Sequence, residues 1–284
     1  MINKVAIVCD STGCLTEEML NKYNIFTNYL MIIFGTKSYA EFSEISSTKF
    51  LELMEAQVEL PSTSQPSPGL TASLYEKILD AGYEEIIHIT ISSGLSGTYQ
   101  AARAAAEIVD YDKIYVFDSK TVVFPQGALA ILAARLAESG KSAVEIYKRL
   151  EEVKEKNQLI AAVKTLENLK KGGRLSNLEA YIGNLLQVKP IITMTEEGKL
   201  EAVGKVRTFK KALNHLIDQI KKENLDETYE FAVMHMENLE DATYLKNCLL
   251  EIYPNHIVHV LPLSLVISVH VGRGTVGIGW AKLR

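Results

Sequence analysis

Long apolar runs are missing from this sequence. Nowhere do 18 uncharged apolar residues follow one another, which excludes a membrane-spanning helix. Cysteine is scarce. Cys9, Cys14 and Cys248 form no C-x-x-C pair and cannot all be bridged, so a disulfide framework is excluded and a reducing compartment fits. An excess of positive charge is also missing. Thirty Lys and Arg stand against 35 Asp and Glu, a net charge of -5, which gives nothing to attract nucleic acid or an anionic membrane surface. With no helix-turn-helix carrying a basic face, a DNA-binding regulator is excluded too. The opening "MINKVAIVCDSTG" lacks a signal-peptide layout, so a cytoplasmic location is expected.

What is there is apolar residue in quantity. Hydrophobic residues make up 47% of 284, enough for a sizeable core in one large or two modest domains. The first half alternates strand and helix signals. "KVAIVCDS" (4–11), "EEIIHITIS" (84–92) and "KIYVFDSK" (113–120) read as short strands bounded by turn residues. Helix patterns cover 46–56, 69–82, 96–109, 126–139 and 142–155, the last opened by a capping-box pair, Ser142 and Glu145. Such alternation predicts a parallel sheet covered by helices. The second half reads as a mixed α+β unit. It offers a glycine stop and a capped helix (172–187, Ser176 with Glu179) and a hairpin around "EEGK" (189–206). Helices follow at 207–224 and 238–252, with strands at 228–236, 256–263 and 265–271. The charged stretch "EEVKEKN" (151–157) is the boundary candidate, and the last strand could return to the first sheet.

The chemistry gathers at strand ends. The three first-half strands end in Asp10-Ser11-Thr12, in Ser92 to Thr98, and in Asp118-Ser119. In a parallel sheet these ends converge on one edge, where ligands sit. The turn "SSGLSGT" admits three readings: a phosphate cradle, a catalytic serine, or a carboxylate holder. A P-loop needs a Lys, and none lies between Ser92 and Ala102. A nucleophile elbow needs G-x-S-x-G, and Gly94-Leu95-Ser96-Gly97-Thr98 ends in Thr instead. Ser and Thr hydroxyls with free N–H groups at a helix N-terminus remain, a set that suits one negative charge. "LPSTSQPSPG" (60–69) adds a proline-stiffened loop with Ser62, Thr63, Ser64 and Gln65 as donors. His270 closes an apolar run beside Gly272-Arg273-Gly274, where glycines allow close backbone approach.

With these stretches assembled, the chain resembles the DegV family over nearly its whole length. The resemblance rests on "IVCDSTGCL" (7–15), "TSQPSPG" (63–69), "ISSGLSGTYQAA" (91–102), "VFDSKTVVFPQG" (116–127) and "LKKGGRLS" (169–176). It continues through "VKPIITMTEEGKL" (188–200), "GKVRTFKKAL" (204–213) and "HVGRGTVGIGW" (270–280). It implies an α/β fold: a Rossmann-like parallel-sheet N-terminal domain, here 1–156, and a second mixed α/β C-terminal domain, 157–284. It implies no enzyme, cofactor or metal in this chain, but the fatty-acid-binding subunit of a bacterial fatty acid kinase. The bound long-chain fatty acid would be phosphorylated on its carboxylate by an ATP-dependent partner kinase. This chain would then carry the acyl-phosphate towards phospholipid synthesis, with transient membrane contact for lipid exchange. By motif position the carboxylate would be held by Thr63, by Ser96 or Ser93, and by His270. Arg174 and Arg207 match family arginines with structural or kinase-facing roles.

Two departures stand out. Arg273 occupies the place of a proline in the usual H-x-G-P-G, which puts a charge near the proposed head group. Val122, Val123 and Phe124 are bulkier than the small and glycine residues expected there, which bears on pocket shape. The rival from the residues alone is a serine hydrolase acting on a lipid ester, with Ser96 as nucleophile and His270 as base.

Overall fold

Continuous burial of the central strands marks the first layer of the computed structural model, which describes residues 4–57, 59–176 and 188–284. The first half runs β1 (Val5–Asp10), α1 (Glu17–Tyr23), β2 (Ile25–Asn28), β3 (Met31–Phe34), β4 (Lys37–Ala40), α2 (Ser47–Ala56) and β5 (Ser62–Ser64). It continues through α3 (Pro68–Asp80), β6 (Glu85–Thr90), α4 (Thr98–Val109), β7 (Ile114–Asp118), α5 (Phe124–Glu138) and α6 (Ala143–Val153). Every residue of β1 is buried, as in a central strand covered on both faces. Val5, Ile7 and Cys9 face one core, while Ala6 and Val8 face another under α3 and α4. β1 pairs in parallel with β2 and β6, and β6 with β7, giving the order β2-β1-β6-β7. The fold is α/β with a Rossmann-like parallel sheet, as the alternation predicts.

The second half runs β8 (Gln158–Ala162), α7 (Glu167–Gly172), β9 (Lys189–Met194), β10 (Leu200–Val206), α8 (Phe209–Ile220) and β11 (Tyr229–His235). It ends with α9 (Leu239–Ile252), β12 (Val258–Pro262), α10 (Leu265–Val271) and β13 (Val276–Lys282). Its mixed sheet has the order β10-β9-β8-β13-β11-β12, antiparallel except between β11 and β12. One face, with Ile160, Val276, Ile278 and Trp280, packs under α8 and α9. The other presents Leu159, Ala161, Gly277 and Gly279 towards α5. That helix is buried all round and packs against β1 on one side and β13 on the other. Small residues permit this approach: a Cβ on Gly127 would lie 2.4 Å from the Gly13 carbonyl oxygen.

Three expectations change. The last strand, β13, joins the second sheet and does not return to the first. The run 265–271 is a helix, not a strand. A seven-residue run with five apolar residues fits either state, and Ser264 decides: its hydroxyl accepts the Ile267 N–H at 3.3 Å, a cap with no counterpart in a strand. The loop 60–69 contains β5, which pairs with β3 in a small sheet of order β4-β3-β5. The N–H and the hydroxyl of Ser176 both donate to the Leu200 carbonyl at 2.9 Å. The helix expected over 177–187 lies outside the described residues. Among the described residues, no helix is long and apolar enough to cross a membrane.

Candidate functional site

The turn after β6 sits where the chain order reverses across β1, the place at which open α/β sheets bind ligands. Its neighbours converge as the strand ends predict, but their acids point at the turn itself. Asp10 accepts the Ile91 N–H at 2.8 Å, and Asp118 accepts the Ser93 N–H at 3.0 Å. Ser92 N–H goes to the Thr121 carbonyl, Gly94 N–H to the Ser92 hydroxyl, and the N–H groups of Leu95 and Ser96 to the Ser92 carbonyl. The N–H groups of residues 91–96 are therefore all engaged by protein acceptors. Burial alone would raise the Asp118 carboxyl; hydrogen bonds from Ser93 and Lys120 outweigh it and hold the group below its ordinary value. Asp10 is locked in turn by the buried His88 ring at 2.9 Å, which also meets the Tyr75 hydroxyl at 2.7 Å. The tip of the β9–β10 hairpin clasps the turn from outside, its Gly198 carbonyl accepting the Ser92 hydroxyl at 2.7 Å.

Between this turn, β5 and α10 opens a mostly apolar cavity. Leu30, Ile91, Leu95, Val122, Val123, Leu159, Ala161, Ile192, Met234, Val266 and Gly277 supply its wall, so both halves of the chain contribute. Thr63, Ser96 and His270 all line it. Thr63 Oγ1 and His270 Nε2 are 2.8 Å apart, although 207 residues separate them in sequence. Ser96 Oγ lies 2.8 Å from the Thr98 hydroxyl. Ser93 is not in the lining; its hydroxyl takes a hydrogen bond from Lys120 Nζ at 3.1 Å on the far side of the turn. Burial, and secondarily the Arg174 charge, push the His270 imidazole down to about 4, so the ring is neutral at pH 7.

The arginines separate. Arg174 lines the cavity, and its guanidinium donates to the carbonyls of Leu95 and Gly172. Arg207 is exposed beyond the far end of β10, about 20 Å of strand from the cavity residue Leu200. Arg273 turns away from the cavity to Glu55, at 2.7 Å, and to Glu237. It adds no charge to the head-group end, because both carboxylates are already on its guanidinium. Val122 and Val123 do shape the cavity, whereas Phe124 is buried in α5 against His259. Val123 has φ +55° and ψ -143°, a conformation glycine adopts at little cost and a β-branched residue rarely does.

The sequence reading missed two contributors. Gly172, seen only as a helix stop, lies against the His270 ring: a Cβ there would be 2.6 Å from Nδ1. Leu30, in a stretch to which the sequence assigns no element, forms part of the wall. The hydrolase geometry is not assembled, since among the described residues no hydrogen bond joins Ser96 to His270.

A family model described as "Uncharacterised protein, DegV family" matches residues 4–283. The chain belongs to the DegV family. DegV of Bacillus subtilis is 36% identical over 280 residues, covering 97% of this chain and 98% of that one. A DegV domain-containing protein of Listeria innocua is 33% identical over 285 residues, 99% of each. Among solved structures, a fatty-acid-binding DegV family protein from Streptococcus agalactiae matches with a TM-score of 0.89 at 32% identity, over 98% of both chains. A stearic-acid-binding protein from Eubacterium ventriosum matches with a TM-score of 0.90 at 25% identity, also over 98% of both. The DegV chain described here shares that fold from end to end.

Proposed function

We propose that this protein binds a long-chain fatty acid with its tail in the apolar cavity and its carboxylate at Thr63, Ser96 and His270. The observation that carries the reading is the placement of those three polar side chains in a mostly apolar lining, whose other polar members are Ser64, Gln65, Arg174 and Thr275. Solved relatives described as fatty-acid-binding support the ligand class. Magnitudes agree. A buried CH₂ contributes about 0.8 kcal/mol, so roughly 15 methylenes give on the order of 12 kcal/mol before binding costs. The tail supplies affinity, and the hydroxyls and imidazole fix which end faces out.

In the same reading the chain performs no chemistry and needs no cofactor. It is two lobes, 1–156 and 157–284, around the lipid. The protein presents the carboxylate to an ATP-dependent kinase and carries the acyl-phosphate. A clamp of hydroxyls and a neutral imidazole leaves a carboxylate oxygen nucleophilic, because no proton or cation is transferred to it. Arg174, whose guanidinium donates to the carbonyls of Leu95 and Gly172, adds a positive charge at the edge of this clamp. Native mass spectrometry of the protein purified from a bacterial host is the test. A mass excess matching a long-chain fatty acid, released by organic extraction, is expected. An apo mass that stays unchanged after incubation with several fatty acids would overturn the reading. Addition of ATP and candidate kinases to the loaded protein then tests phosphoryl transfer.

A further inference from the structure

Glu41 is fully buried, and the site described above does not use it. It follows β4 and points inward. Its Oε1 accepts the Ser11 hydroxyl, and its Oε2 accepts the Ser264 hydroxyl at 2.8 Å and the Val266 N–H at 3.1 Å. Each serine passes on a second bond: Ser11 Oγ accepts the Leu30 N–H at 3.0 Å, and Ser264 Oγ accepts the Ile267 N–H at 3.3 Å. The carboxylate is thus the terminal acceptor of two relays, one from the cavity wall at Leu30 and one from the start of α10. Every partner is a donor, and a carboxylate is an acceptor only, so the match is complete. Burial raises the Glu41 carboxyl above its ordinary value against the pull of these donors.

The location gives the relays a purpose. Thr63 stands on β5, which pairs with β3, which pairs with β4, the strand that ends beside Glu41. His270 stands at the other end of α10, about 7 Å along the helix from the residues Glu41 holds. We propose that Glu41 is the positioning residue of the head-group clamp: it pins α10 to the sheet that carries Thr63 and so sets the His270 ring against the Thr63 hydroxyl. The inference rests on the reading of this cavity as a fatty-acid site. Its first measurement does not need the lipid. A tilt of α10 that moves the ring by about 1 Å takes a 2.8 Å contact outside hydrogen-bonding range.

The test is Glu41→Gln in the full chain. The amide keeps the shape but sets an NH₂ donor against the donors of Ser11 or Ser264. Side-chain NMR of ¹⁵N-histidine-labelled apo protein, with the His270 signals assigned by His270→Asn, reads the ring directly. In the variant those signals should move and the ring should titrate upwards from about 4 towards 6.5, while the signals of His256, in the other core, are unchanged. Fatty-acid affinity should fall about tenfold. A core variant of matched stability loss, such as Ile278→Val, should move neither readout. If Glu41→Gln fails to fold, Ser264→Ala carries the test, with the same direction and a smaller shift. Lowered stability with wild-type His270 signals would overturn the proposal. A moved ring in a protein that takes up no lipid would keep the positioning role and overturn the fatty-acid reading instead.

Discussion

Two side chains meet across 207 residues in the Thr63–His270 contact, and each carries a prediction. Thr63→Val keeps the β-branched shape of β5 and removes the hydroxyl. Loss of one hydrogen bond to a charged ligand costs about 1.5–3 kcal/mol, so fatty-acid affinity should fall by between about tenfold and a hundredfold. The melting temperature should hardly move. Titration with a fluorescent fatty acid checks this, and unchanged affinity would remove Thr63 from the clamp. The second prediction concerns pH. The folded His270 titrates at about 4 against an ordinary 6.5, because burial first and Arg174 second disfavour its charge. Between those values the unfolded chain binds a proton that the folded chain refuses. Stability is therefore fully present above about pH 6.5 and declines as pH falls to about 4, by about 3 kcal/mol in all. His270→Asn should lose that part of the slope in urea unfolding measured across the window; parallel curves for the two proteins would mean that the ring titrates normally.

At the level of elements, legibility followed length and period. The long strands β1, β6 and β7 and the helices α3 to α6 were readable because each spans several repeats of its own period. β3, β4 and β5 have four residues or fewer, too few for a period to show. α10 has seven residues, five of them apolar, and its state turns on Ser264. The polar residues of the turn after β6 were visible in the sequence, but the direction in which each points was not. Whether Ser93 faces the cavity or Lys120 depends on Asp118, which belongs to another strand. α7 supplies a prediction at this scale. A Cβ on Gly172 would sit 2.6 Å from His270 Nδ1 and 3.1 Å from Cε1, so either the ring turns or α7 retreats. Gly172→Ala should weaken lipid binding about tenfold or more, while overpacking at this half-open place lowers stability by roughly 1 kcal/mol. Binding and thermal unfolding measured on one preparation separate the two; a loss of stability with intact binding would make Gly172 a packing residue only.

The whole molecule was legible as two α/β halves in the right order, yet the way the halves share one cavity was not. That depends on contacts no local pattern announces. Leu30, Thr63 and Leu95 come from the first half, and Leu159, Ala161, Met234 and Gly277 from the second. Arg273 illustrates the same limit: its partner Glu55 lies 218 residues away. A tail lying in this cavity is a bridge between the two sheets, and its removal is a global perturbation. Binding to the folded state alone stabilises by about 2.7 kcal/mol at a hundredfold excess over Kd, which for a chain of this size shifts the melting temperature by roughly 5 °C. Delipidated protein should melt lower by about that amount and recover on addition of fatty acid. Hydrogen exchange should then show protection returning together in β5 and the turn after β6, and in β8 and α10. Protection confined to one half would place the tail along a single sheet, and the cavity between the halves would have to be assigned to another occupant.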